Sequence, residues 1–160
     1  MESTLTSNVY TDDDRRWMAA AIDLSRQCPP SLTAYSVGAI LLDAHGHEIA
    51  RGWSRDTDVH IHAEESALSQ VAKNDPRLLD ATLYSSLEPC SERRSVRATC
   101  TQLILAANIP RIVIAWREPP LFVNDGRGYE ILRAAGREVV EIAELANEAA
   151  AINAHLLGRR

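Results

Sequence analysis

TLYSSLEPCSERRSVRATCTQLILAANIPRIVIAW, residues 82–116, is the stretch that settles the architecture. Thr82–Ser86 reads as a short strand and Cys100–Ala107 as a helix. RIVIAW (111–116) is almost wholly apolar, as a strand covered on both faces must be. Downstream, Gly128–Ala135 reads as a helix, Glu138–Ile142 as a last strand and Leu145–Leu157 as a closing helix. Alternation of strand and helix from Lys73 onward is the pattern of an α/β layered sheet. Upstream, YSVGAILL (35–42) is another buried strand, and the turn Asp43–Gly46 returns the chain through Glu48–Trp53 as a hairpin. Ala63–Lys73 carries Ala67, Leu68 and Val71 at helical spacing and is ended by Asn74-Asp75-Pro76. Asp12, Asp13 and Asp14 precede Trp17, Ala21, Leu24 and Cys28, a helix with acids in its first turn that Pro29 and Pro30 stop. The expectation is a flexible arm over residues 1–10 and one domain over 11–160. That domain is a three-layer α/β/α fold with a mixed central sheet of about five strands.

Composition narrows the function. The 160 residues hold 17 Lys+Arg against 22 Asp+Glu, a formal charge of −5 with a single lysine, Lys73. A nucleic-acid binder needs a clustered basic surface, so nucleic acid is not an expected partner. Arg93, Arg94 and Arg97 are the local exception. No run of about 18 apolar residues exists to span a membrane, and Met1–Arg16 is polar and acidic, without a secretory leader's basic flank and apolar stretch. Three cysteines, an odd number without a leader, read as thiols of a reducing compartment, so a cytoplasmic location is expected.

The chemistry lies in His62-Ala63-Glu64, Pro89-Cys90 and Cys100. One imidazole and two thiolates suit tetrahedral zinc, and three protein ligands leave a fourth position for water. Glu64, two residues past His62, faces the metal as a proton carrier without being bound to it. Cys100 opens a helix and Cys90 follows a strand. A helix N-terminus lowers a thiol pKa and favours the metal-binding thiolate. H-x-E followed by P-C…C is the signature of zinc deaminases, although here nine residues separate the cysteines where the common motif has two. The intervening SERRSVRAT must bulge away between two ligands of one ion. Its arginines then sit at the pocket mouth, where Arg94 or Arg97 could take a phosphate ester bidentately.

From Tyr35 to about Leu157 the chain resembles the pyrimidine deaminases of riboflavin biosynthesis, a branch of the cytidine deaminase superfamily. The resemblance rests on VGAILLD (37–43), HAEESAL (62–68), LYSSLEPCSE (83–92), IPRIVIAWREP (109–119), GRGYEILRAAGREV (126–139) and EAAAINAHLL (148–157). AYSVGA, LEPCSERRS and EPPLFV look closer to the stand-alone fungal type than to the bacterial bifunctional one, and the chain stops at Arg160 without room for a reductase. Bacterial members have an Asn before the VGA strand where this chain has Ala34 and Tyr35, and Asp-Pro-Asn where it has Glu118-Pro119-Pro120.

The resemblance implies a cytidine-deaminase-like fold and a catalytic Zn2+ on His62, Cys90 and Cys100, with Glu64 as proton carrier. It implies substrate contacts at Ala63, Pro89, Ser91, Arg94, Arg97 and Glu118. It also implies a phosphorylated ribitylaminopyrimidine as substrate, and a homo-oligomer, a dimer foremost. A cytidine- or dCMP-type deaminase, a secondary-metabolism enzyme, a nucleic-acid deaminase and a non-catalytic zinc module stay open as alternatives. Elsewhere the plain reading holds. His60 is an ordinary loop residue, Glu65 a first-turn helix acid, and Cys28 a small core residue. His45 and His47 flank a surface turn. Tyr35, Trp53, Trp116 and Phe122 could each stack on a pyrimidine but read as core.

Overall fold

The computed structural model describes residues 9–93, 97–122 and 126–158; of the arm expected over 1–10, only Val9 and Tyr10 fall within them. In chain order the elements are α1 (Asp12–Leu24), β1 (Gly38–Leu42), β2 (Glu48–Trp53), α2 (Ala63–Ser69), β3 (Thr82–Ser85), α3 (Cys100–Ala106), β4 (Arg111–Ile114), α4 (Gly128–Ala134), β5 (Glu138–Glu141), α5 (Ala146–Ala151) and α6 (Ala154–Leu157). The strands form one mixed sheet in the order β2-β1-β3-β4-β5. β1 pairs antiparallel with β2 and β3, whereas β3, β4 and β5 run parallel.

Strand alternation divides the core in two. Leu41, Leu83, Ile112, Ile114 and Val139 face one side, packed with Ala63, Ile104 and Leu132 of α2, α3 and α4. Ile40, Leu42, Tyr84, Val113 and Val140 face the other, against Met18, Ala21 and Ile22 of α1 and Ala149 of α5. The result is the expected three-layer α/β/α arrangement. Every residue of β1 is buried, while β2 alternates toward solvent as an edge strand should.

Of the element boundaries that differ from the sequence expectation, three have a clear local hydrogen-bonding reason. Residues 35–37 do not join β1, because side chains satisfy their backbone: Ser36 N–H donates to Asn153 Oδ1 (2.7 Å) and Val37 N–H to Ser54 Oγ (2.9 Å). α2 stops at Ser69 instead of Lys73, since the Ser69 hydroxyl and Gln70 amide donate to the Ser66 carbonyl (2.7 and 3.1 Å) and cap it locally. The closing helix is broken between α5 and α6 by Asn153, which is 1% exposed and whose amide also donates to the Ser36 and Ala149 carbonyls. Cys28 is half-buried, its thiol donating to the Val37 carbonyl at 3.5 Å.

α1 is fastened by one residue of the acidic trio. Asp14 closes a capping box with Thr11. From beneath the helix its carboxylate also accepts the Tyr84 hydroxyl (2.7 Å) and both terminal nitrogens of Arg111 (2.9 Å each). Burial alone would raise its pKa, but the hydrogen bonds from Arg111 and Tyr84 outweigh burial and hold the carboxyl well below the ordinary range. The helix lies close enough to the sheet that a Cβ on Gly38 would fall 2.0 Å from the Ala21 carbonyl.

Asp14→Ala is expected to cost about 2–4 kcal/mol, because it leaves the half-buried Arg111 guanidinium with Glu138 alone and takes the acceptor from the buried Tyr84 hydroxyl. A depressed folded-state pKa stabilises fully above the unfolded value near 4 and is lost as the pH falls. The gap between wild type and variant should therefore be full at pH 7 and shrink steadily below pH 4. Denaturant unfolding of both proteins at each pH measures it, and a gap that stays constant with pH would contradict the assignment.

Candidate active site

Three chain segments converge beyond the end of β3. His62 is the N-cap of α2, Cys100 is the first residue of α3, which Thr99 caps, and Cys90 lies in the loop after β3. His62 Nδ1 is 3.5 Å from Cys90 Sγ and 3.4 Å from Cys100 Sγ, and the three donor atoms all lie within 4.8 Å of one another. Tetrahedral zinc, with bonds of about 2.0–2.1 Å to nitrogen and about 2.3 Å to sulfur, sets each nitrogen–sulfur edge near 3.5 Å. The side chains therefore stand at coordination spacing, and both cysteines are free thiols. The donor set fits zinc.

The start of α3 organises the sulfurs. Cys100 N–H donates to Cys90 Sγ (3.2 Å), and Thr101 N–H and hydroxyl both donate to the Cys90 carbonyl (3.1 and 2.8 Å). Hydrogen bonding from Cys100 and then from His62 draws the Cys90 thiol pKa down despite burial, so Cys90 takes the negative charge. The side-chain hydrogen bond between the two sulfurs, and then burial, drive the Cys100 thiol pKa up.

Glu64 is 4% exposed in the second position of α2. Burial, reinforced by the Cys90 charge, raises its pKa. The Ser85 hydroxyl, at the end of β3, stands 2.9 Å from Glu64 Oε2 and 2.8 Å from the Leu87 carbonyl.

The loop joining the two cysteines is latched to α2. Arg93, with only 4% of its side chain exposed, donates to Glu65 Oε1 (2.8 Å), to the His60 carbonyl (2.5 Å) and to the Ala98 carbonyl (2.9 Å). Glu65 also accepts the His62 N–H (3.2 Å), so this helix acid binds the ligand loop and orients a ligand residue together. Arg97 pairs with Asp58 and Glu65. Arg94 lies outside the described residues.

A cleft of about 660 Å³ opens over these groups, within the size range of small-molecule sites. His62, Glu64 and Cys90 line it with Glu88, Glu92 and Glu118, and Tyr35 and Phe122 form an aromatic corner, their ring centroids 5.1 Å apart. Among the residues expected to touch substrate, Glu118 faces the cleft. Ala63 is fully buried in the core, the Pro89 carbonyl accepts the Thr101 hydroxyl, and Ser91 Oγ accepts the Arg127 N–H.

Two cleft residues escaped the sequence reading. Arg55, in the left-handed region at φ +62°, fans its guanidinium onto the Pro29 and Tyr35 carbonyls and the Ser36 hydroxyl. Glu88, 3% exposed, accepts Glu118 N–H through Oε1 and Tyr129 N–H through Oε2, both at 2.8 Å. A lone acid between Leu87 and Pro89, just past a buried strand, was the available signal for Glu88. Burial pushes the Glu118 carboxyl up to about 8, assisted by the charges of Cys90, Glu88, Glu64 and Glu92.

Residues 11–116 match the family model for the zinc-binding region of cytidine and deoxycytidylate deaminases. The diaminohydroxyphosphoribosylamino-pyrimidine deaminase of Schizosaccharomyces pombe is 34% identical over 127 residues, across 78% of this chain and 31% of that protein. The chain thus spans about a third of that relative's length. A Thermotoga maritima diaminohydroxyphosphoribosylaminopyrimidine deaminase/5-amino-6-(5-phosphoribosylamino)uracil reductase superposes with a TM-score of 0.78 at 29% identity, covering 93% of this chain and 42% of that one. Aspergillus oryzae Rib2 deaminase gives 0.69 at 25% identity, covering 91% and 99%.

Gly128, at the start of α4, tests how tightly the ligand loop is seated. A Cβ there would lie 2.0 Å from the Pro89 carbonyl, one residue from Cys90. Helix propensity alone favours Gly128→Ala by about 0.5–1 kcal/mol. The clash predicts the reverse sign, a loss of about 1–3 kcal/mol with reduced zinc content. Thermal unfolding and metal analysis decide between the two.

Proposed function

The chain belongs to the cytidine and deoxycytidylate deaminase zinc-binding family, and on that footing we propose that it hydrolyses the amino group from a pyrimidine ring. The substrate we assign is the diamino-ribitylamino-pyrimidinone 5'-phosphate of riboflavin biosynthesis. The observation that carries the reading is the meeting of His62 Nδ1, Cys90 Sγ and Cys100 Sγ beside a buried glutamate in one cleft. The diaminopyrimidine phosphate class is supported by the fission-yeast and Thermotoga relatives, whose names specify phosphoribosylamino-pyrimidines, and the ribityl form rests on the resemblance to the stand-alone fungal type.

Zinc held by His62, Cys90 and Cys100 supplies the Lewis acidity that makes water a nucleophile near neutral pH. The chain's own residues carry the protons. Glu64 takes one from the attacking water and delivers it to the ring nitrogen beside the reacting carbon. It then relays a second proton to the amine, which departs as ammonia. Ser85 suits this duty because its single hydroxyl proton has two acceptors in reach. With Glu64 ionised, Ser85 donates to Oε2. With Glu64 protonated on Oε2, the carboxyl donates to Ser85 and Ser85 turns to the Leu87 carbonyl. The buried position keeps the proton from bulk solvent, and the Tyr35–Phe122 corner offers the ring a stacking surface.

Residues 11–160 form the catalytic unit in this reading. Free thiols at Cys28, Cys90 and Cys100 support a cytoplasmic enzyme. A homodimer accords with the superfamily resemblance, and Arg94 and Arg97 remain our candidates for the phosphate.

Glu64→Gln should retain zinc and fold while turnover falls by about 10²–10⁴. Ammonia release and the ultraviolet change on a panel of aminopyrimidine phosphates measure it, and near-normal turnover would remove Glu64 from the mechanism. Cys90→Ser should lose metal and thermal stability together, because the ligand set also ties α3 to the strand end. Metal analysis alongside calorimetric unfolding checks that coupling, which fails if stability survives the loss of zinc.

A further inference from the structure

Residues 29–36 lie between α1 and β1, and Pro30, Ser31, Thr33, Ala34 and Tyr35 of this loop wall one side of the cleft. The loop is neither helix nor strand, so no ladder of backbone bonds holds it in place. One side chain fastens both of its ends. Where the loop begins, Arg55 donates from Nε and Nη2 to the Pro29 carbonyl (3.1 and 2.7 Å). Where it ends, Arg55 donates from Nη1 to the Tyr35 carbonyl (3.0 Å) and from Nη2 to the Ser36 hydroxyl (2.8 Å). Tyr35 then packs against Phe122 and donates its hydroxyl to the Pro119 carbonyl (3.4 Å).

The clasp needs a guanidinium. Its N–H groups form a rigid planar fork that reaches several acceptors at once, whereas an ammonium is a compact point charge. The four bonds engage most of the five donors, so the group is turned toward the chain and not toward an anion. Arg55 also sits in the left-handed region at φ +62°, which disfavours any residue but glycine. Its own N–H donates to the Ile61 carbonyl (2.9 Å), closing the turn that leads into His62. Glycine would satisfy that turn with less strain; what arginine adds is the grip on the cleft wall.

Resting on the proposed function, we propose that Arg55 is a positioning residue: by clasping both ends of the 29–36 loop it holds the cleft wall in its binding form, and so sets substrate affinity. A loop released at its base occupies that form only part of the time, and apparent affinity falls by the same fraction. The groups that move protons stand on other elements, Glu64 on α2 and Ser85 on β3. Loss of the clasp therefore acts on KM far more than on kcat. It acts on the ring and its side chain together, with or without a phosphate.

The test uses zinc-loaded wild type, Arg55→Gly and Arg55→Lys. Arg55→Gly removes the guanidinium but suits the left-handed turn, and Arg55→Lys keeps the charge without the fork; either serves alone if the other fails to fold. Steady-state kinetics on the diamino-ribitylamino-pyrimidinone phosphate should show KM raised about 10–100-fold and kcat within about threefold, with zinc content unchanged. Calorimetric titration with 5-amino-6-ribitylaminouracil and with its 5'-phosphate should show Kd raised by the same factor for both. Hydrogen exchange should quicken in the peptide spanning 29–36, with the α2 and α3 peptides as in wild type. Unchanged KM overturns the inference, as does a loss confined to kcat and zinc, or exchange quickened throughout the molecule. A loss seen only with the phosphorylated ligand overturns it too, since Arg55 would then be a phosphate contact. Each of these outcomes leaves the deaminase assignment intact, whereas a wild type that deaminates no pyrimidine overturns the proposed function and the inference with it.

Discussion

A backbone N–H at the start of α3 donates to the sulfur of Cys90, and much of the site is arranged around that contact. It brings two cysteines separated by nine residues to within reach of one imidazole, and it does so with the electropositive end of a helix. Thiolate charge is thereby stabilised where it is needed. The intervening loop is free to be long because its ends are fixed by α3 and by Cys90, not by its own length. Arg93 and Arg97 then tie the loop back onto Glu65, so the helix that carries the proton carrier and the loop between the sulfurs meet at one carboxylate.

The parallel half of the sheet supplies the remaining geometry. β3 and β4 run side by side, and their ends deliver Glu88, Cys90 and Glu118 to the cleft, with Ser85 buried beneath. This follows the general rule that α/β sheets place ligand chemistry beyond the carboxyl ends of parallel strands. The hairpin of β1 and β2 contributes no residue to the metal cluster, yet its return leads into the loop that ends at His62. The antiparallel portion thus aims one ligand and the parallel portion aims the other two.

Much of this was legible in the residues. Apolar runs at 35–42 and 111–116 announced covered strands, and His62, Glu64, Cys90 and Cys100 announced their chemistry by type and spacing. What remained hidden depended on partners far away in sequence. Nothing near Asp14 shows that it holds Tyr84 and Arg111, because those residues arrive only when α1 packs on the sheet. The loop arginines read as a charged mouth, whereas Arg93 proves to be an internal tie. Glu88 and Arg55 were overlooked for a similar reason, since all of Glu88's partners and most of Arg55's are backbone atoms, which no residue pattern displays. Asn153 broke a helix that its neighbours favour, to satisfy the chain at Ser36 across 117 positions.

Tyr84 and Ser85 are neighbours on β3 that serve opposite sides of the sheet, one receiving the anchor of α1 and the other steadying Glu64. Deleting or inserting a single residue ahead of them would turn a phenol toward the proton carrier and a small hydroxyl toward Asp14. The frame of this four-residue strand is therefore locked from above and below.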